Sequence, residues 1–180
     1  MKRTVLLGFC LLALAAPAFA INGVGDLGAY ADDQGSSCSI SAPGNPAPFN
    51  IYLVHKFLPG EASSADRFKV VLPAGMTFFA FSTPNTTSGG VLVDISVGYA
   101  PCLVADTMIG SLLVQAVAPI ANCSYVSVQT ADTQTDPIAL DCGFIQHVMK
   151  AGQAIVNDAS CPCTVASEPT SWGKVKALYR

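Results

Sequence analysis

Charge is what this 180-residue chain has least of: 12% of its residues are Asp, Glu, Lys or Arg, with twelve acidic against nine basic. A nucleic-acid partner requires a basic face, and this balance excludes that class. Histidine is nearly absent, at two residues, so an imidazole base could come only from His55 or His147. A hydrolase needs a nucleophile, a base and an orienting group together, and no Gly-x-Ser-x-Gly elbow occurs. Ser171-Trp172-Gly173-Lys174 has the spacing of a penicillin-recognising serine site, but it stands near the chain end without the partner motifs. No segment approaches the roughly twenty apolar residues of a membrane-spanning helix, so no transmembrane anchor is expected. No long stretch carries an amphipathic helical period either.

Cysteine is plentiful, at seven. Lys2 and Arg3 precede an apolar run from Val5 to Ala16, and Ala18-Phe19-Ala20 offers small residues for cleavage. Residues 1–20 therefore read as a secretory signal peptide, with a mature start at Ile21. Cys10 lies inside the apolar run after Phe9, where a lipidation box needs a small residue, so no lipoprotein is expected. The expected location is extracellular or periplasmic. Losing Lys2 and Arg3 takes the net charge from −3 to −5.

Six cysteines remain: Cys38, Cys102, Cys123, Cys142, Cys161 and Cys163. In an oxidising compartment they read as three structural disulfides. Cys123 with Cys142 is the expected first bridge, because the two flank runs that resemble neighbouring strands. Cys161 and Cys163 are expected to go to separate partners among Cys38 and Cys102.

The periodicity is two rather than 3.6. Ile51, Leu53, His55 and Phe57 alternate with Tyr52, Val54 and Lys56, and Phe68, Val70 and Leu72 alternate with Arg67, Lys69 and Val71, as in half-buried strands. His55 thereby shares a face with Leu53 and Phe57 and reads as a hydrogen-bonded, partly buried histidine. Met76–Phe81 is a further strand, and Phe78 and Phe79 must point to opposite sides of it. Thr83 to Gly90 reads as a polar loop. Strands are also expected at 28–31, 37–41, 91–99, 109–117, 124–130, 138–142 and 154–157. About ten short strands separated by Gly, Pro, Asn and Asp predict one all-β domain over 21–157, an antiparallel β-sandwich. Residues 158–180 form a Cys-Pro-Cys segment and a basic tail, in which a short helix could carry Trp172, Val175 and Leu178 or Tyr179 inward.

The run from His55 through Ala65-Asp-Arg-Phe-Lys-Val-Val-Leu-Pro-Ala-Gly75, followed by Gly90-Val-Leu-Val-Asp-Ile-Ser96 and Ile109-Gly-Ser-Leu-Leu-Val114, resembles the strand order of cohesin-like and related carbohydrate-binding sandwiches. The resemblance implies a jelly-roll or immunoglobulin-like sandwich used for binding or display, without catalysis. The ending from Cys161 to Arg180 resembles the tails of small bacterial secreted proteins and implies no activity.

Other motifs reduce to local structure. Gly23-Val-Gly-Asp-Leu-Gly28 spells the dinucleotide fingerprint but has no room for the strand that must precede it. Asp32-Asp33-Gln34-Gly35 reads as a turn, with a calcium loop as the alternative, although calcium wants spaced carboxylates. Cys161-Pro162-Cys163 could serve thiol redox chemistry or hold a metal with His147, yet its neighbour Asp158 is acidic where a reactive thiolate wants cations. Tyr30, Tyr52, Phe79, Tyr99, Tyr125 and Trp172 are the aromatic candidates for stacking on sugar, and Asn85 and Asn122 head glycosylation sequons. The reading is a secreted, non-catalytic binding or structural module for a protein or glycan, without cofactor or metal. Trp172, Lys174, Lys176 and Tyr179 are the candidate docking tail. The alternative is a thiol redox enzyme using Cys161 and Cys163, or a hydrolase of unrecognised type.

Overall fold

The computed structural model describes residues 23–42 and 47–157. The signal peptide, Cys161, Cys163, Trp172, Lys174, Lys176, Tyr179 and the expected C-terminal helix lie outside them. Among the described residues the fold is all β, with strands β1 Asp26–Tyr30, β2 Ser39–Ile40, β3 Phe49–Lys56, β4 Ser63–Val71, β5 Met76–Ser82, β6 Thr86–Gly90 and β7 Asp94–Leu103. After these come β8 Thr107–Ala116, β9 Ser124–Gln129, β10 Ile138–Leu140, β11 Gln146–Val148, β12 Lys150–Ala151 and β13 Gln153–Val156. One sheet runs β12-β1-β3-β8-β5. The other runs β11-β10-β4-β9-β13-β2, with β7 and then β6 on the opposite side of β4.

The two layers close on the residues that alternation predicts. Ile51 and Leu53 from β3 meet Phe68 and Val70 from β4, Ile95 and Val97 from β7, and Ile109, Leu112 and Val114 from β8, all buried. Arg67 and Lys69, out of phase with Phe68 and Val70, face outward and pair with Asp94 and Asp132. Phe78 packs on the core while Phe79 is half exposed. A register shift between Phe78 and Ala80 makes Phe79 the extra residue of a bulge, so that Phe81 rather than Ala80 is the next side chain to return to the core.

Three expectations need correction. The polar loop at Thr83–Gly90 contains a strand: β6 is exposed along its length and pairs with β7 from Thr86↔Gly98 to Gly90↔Asp94. Its Thr-Thr-Ser-Gly-Gly sequence has no apolar residue, so no alternation could announce it. Val91 to Val93, expected to open the following strand, instead form the turn, with Val93 N donating to Gly90 O. The expected Cys123–Cys142 bridge is also replaced. Cys102 bonds Cys142, with Cα atoms 5.9 Å apart, because β10 lies beside β4 rather than next to β9 and its end meets the end of β7. Cys102 is thus not a partner for Cys161 or Cys163. Cys38 and Cys123 are disulfide-bonded as well.

Leu112 and Leu113 are consecutive residues on opposite faces of β8, the first buried and the second partly exposed. Leu112→Ala should lower unfolding free energy by about 2–5 kcal/mol through loss of buried contacts and the cavity left behind. Leu113→Ala should cost under about 1 kcal/mol. Urea denaturation of the two variants checks the register.

Candidate functional site

The most enzyme-like residue set is sealed in the core. Asp66 faces inward from β4, in phase with Phe68, and meets His55 from the facing sheet: Nδ1 lies 2.7 Å from Asp66 Oδ2 in an ion-pair contact off the line of a hydrogen bond. The other ring nitrogen, Nε2, lies 2.6 Å from Val24 O. Ser63 Oγ donates to Asp66 Oδ1 at 2.8 Å and Tyr99 Oη donates to Oδ2. Burial, and then the Asp66 charge, push the Tyr99 phenol well above its ordinary value, so the hydroxyl stays a donor. Phe57 stacks on the imidazole, 4.3 Å between centroids. A serine, a histidine and an aspartate are present, but the serine bonds the aspartate rather than the histidine. His55 spends Nε2 on a backbone carbonyl, and none of the three reaches solvent. The cluster ties the two sheets together and lacks the nucleophile–base contact that hydrolysis requires. His55 is more deeply buried than its alternation alone predicts.

The outer face of the larger sheet is charged but internally neutralised. Arg67 holds Asp94 through two hydrogen bonds, 2.8 and 2.6 Å. With Thr133 also donating to that carboxylate, its pKa is drawn down to about 2, the Arg67 hydrogen bonds acting most strongly. Lys69 meets Asp132 at 2.5 Å. Asp32 accepts from Gln34 N, Ser36 N and Ser37 N, so the Asp32–Gly35 segment is the turn its sequence suggests.

A different arrangement occupies the tip of the β10–β11 hairpin. Leu140 pairs with Gln146, leaving Asp141 to Ile145 as a five-residue loop. Asp141 is almost fully buried. Its Oδ1 accepts from Gly143 N at 2.7 Å and Ile145 N at 2.9 Å, its Oδ2 meets His147 Nε2 at 2.9 Å, and its carbonyl accepts from Ser64 Oγ at 2.7 Å. The next residue, Cys142, is bolted to Cys102. This framework holds Phe144 at φ 62°, a left-handed conformation that costs an ordinary side chain about 1–2 kcal/mol. The ring is 77% exposed, beside Ile145 at 61%. Val148 on β11 is 67% exposed, and Val104, just past the end of β7 and two residues beyond Cys102, is 71% exposed. Strained backbone and unburied apolar side chains coincide in a loop whose polar groups are otherwise satisfied, the combination expected of a preformed contact surface.

Sequence reasoning missed this tip. It took 138–142 as one strand and placed no hairpin after it. The signal was available in Asp141-Cys142-Gly143, an Asx-type turn opener followed by a bridged cysteine and a glycine. Of the aromatic candidates, Tyr30 and Tyr99 are buried, Tyr52 and Tyr125 are half-buried, and Phe79 is half exposed at the bulge, so no flat aromatic face for sugar assembles from them. Asn85 of the first sequon bonds Ile109 O through Nδ2.

No protein-family model and no curated protein matches the chain. Among solved structures, a non-cellulosomal cohesin from the hyperthermophilic archaeon Archaeoglobus fulgidus superposes with a TM-score of 0.50 at 9% sequence identity, covering 75% of this chain and 92% of that one. The fold is a cohesin-like β-sandwich. At that identity the likeness establishes the architecture and leaves the function to the residues of this chain.

Two outcomes follow. Asp66→Asn should destabilise the domain by about 1–3 kcal/mol, because an amide cannot accept from both Ser63 and Tyr99 and leaves a buried polar group mismatched; equilibrium denaturation reads it. The amides of Ile145 and Gly143, with the His147 ring, hold Asp141 below the ordinary carboxylate range. A depressed folded-state pKa stabilises the loop above the ordinary Asp value of about 3.9 and loses that stabilisation as pH falls through the folded value. Hydrogen exchange at Gly143 and Ile145 should therefore be slow near neutral pH and lose protection in acid. Asp141→Asn should remove that acid step.

Proposed function

We propose that this chain is a secreted, disulfide-stapled binding module that docks a protein partner through the Phe144–Ile145 tip and performs no catalysis. The observation that carries the reading is Phe144 itself, fully presented at positive φ on a loop clamped by Asp141 and the Cys102–Cys142 bridge. A rigid aromatic anchor loses little side-chain entropy on binding, which makes it effective at a protein interface. Its neighbour Ile145 is exposed as well and adds an aliphatic rather than a hydrogen-bonding group, which favours a protein over a glycan. The cohesin-like fold supports a binding role. The bridged state of Cys38, Cys102, Cys123 and Cys142 supports an oxidising compartment and weighs against thiol redox chemistry as the chain's main work.

A photo-cross-linking residue at position 144, compared with one at exposed Thr87 on β6, tests the reading in cells that produce the protein. Cross-linked protein partners are expected from 144 and absent from 87. Phe144→Ser should weaken binding of the captured partner at least tenfold while the melting temperature holds or rises, since the strained ring contributes nothing to the core. Equal binding by Phe144→Ser overturns the tip as the contact surface. A glycan-array signal that depends on Phe144 would replace the protein partner with a sugar.

A further inference from the structure

On the side of the hairpin away from its tip, the approach to β1 and the end of β11 enclose a cavity of about 310 Å3, whose walls include Gly23, Gly25, Asp26, Glu61, His147 and Lys150. Asp26 is 5% exposed. Among the described residues its carboxylate has neither a hydrogen bond nor an ion pair. A carboxylate largely withdrawn from water and without a counter-charge favours a cationic ligand. Lys150 pairs with Asp26 in backbone register, yet their side chains make no ion pair.

The rest of the wall points to a ligand in place of an internal partner. Glu61 accepts from Leu58 N at 2.7 Å through Oε2, which leaves Oε1 toward the cavity, where a Cβ on Gly23 would come within 2.8 Å of it. Gly25 has φ 78°, and a Cβ there would meet Lys56 O at 2.4 Å. Gly25 is therefore fixed by its positive φ and its close approach to the end of β3, which sets the path of the chain along this wall. Asp26, Glu61 and Lys150 carry a formal charge of −1 between them, which one monovalent cation neutralises.

We propose that this cavity binds a primary ammonium group, with Asp26 as its counter-ion and Glu61 Oε1 as a second acceptor. The three donors of an ammonium suit acceptors that lie apart on a concave wall. Two sources carry this chemistry: a lysine side chain or small amine from outside, and the α-ammonium of Ile21 if the chain is cut after Ala20. The inference is independent of the Phe144 contact surface and can fail without it.

The experiment is an amide-resolved NMR titration of protein beginning at Ile21, with its N-terminus either free or acetylated. The probe is Nα-acetyl-lysine methylamide, and Nα-acetyl-norleucine methylamide is the uncharged control. Saturable shifts at Gly23, Gly25 and Lys150 are expected with the lysine probe alone. They should weaken at least tenfold in Asp26→Asn and about threefold or more in Glu61→Gln, which keeps the test open if the first variant folds poorly. Shifts in both protein forms assign the site to an external amine, and shifts only after acetylation assign it to the chain's own α-ammonium. No shift in either form, or equal shifts with norleucine, overturns the proposal. So does a Lys150→Met protein that takes the probe when the native side chain prevents it, since Lys150 would then be the internal counter-ion.

Discussion

The contact between His55 and Asp66 sets the terms for the sandwich. Each residue belongs to a different sheet and both are buried, so their meeting fixes how the layers lie over one another as well as how far apart they stand. Because side chains alternate along a strand, a one-residue slip of β4 would turn Asp66 outward and carry Arg67 into the core. The same slip would turn Phe68 and Val70 to solvent. Ser63 and Tyr99 complete the carboxylate's partners, which makes the burial tolerable. They also commit the beginning of β4 and the middle of β7 to the same arrangement.

Local order is spent differently at the hairpin. There a buried aspartate, a disulfide and a serine from β4 hold a loop whose apolar side chains touch little of the protein. On the larger sheet, the long charged side chains of Arg67 and Lys69 are each engaged by a neighbouring aspartate. That face offers a partner few charges free of a local competitor. The Phe144 loop, by contrast, is held by Asp141 and the Cys102–Cys142 bridge and exposes apolar side chains.

What could be read from the sequence was whatever a period of two records. The inward faces of β3 and β4 follow from Ile51, Leu53, His55, Phe68 and Val70, and the split environments of Phe78 and Phe79 follow from the same rule. Elements without apolar contrast were invisible: β6 is entirely polar or glycine, and β11 and β12 are three and two residues long. The disulfide partner of Cys142 depended on where β10 docks, a long-range relation that strand order in sequence does not encode. The Asp26 cavity shares that origin, since residues 23–26, 61 and 147–150 meet there, whereas the tip is local and its turn chemistry was legible at Asp141-Cys142-Gly143.

The way the chain ends its path through the sandwich has a mechanical corollary. β12 runs parallel to β1 in one sheet, and after Gly152, whose amide bonds Leu27 O, β13 runs parallel to β2 in the other. Tension applied between the beginning of β1 and the end of β13 is directed along these parallel strands. It loads their hydrogen bonds together in shear, where a hairpin pulled from its open end would unzip one bond at a time. The topology that closes the sandwich also makes it a link able to transmit pull.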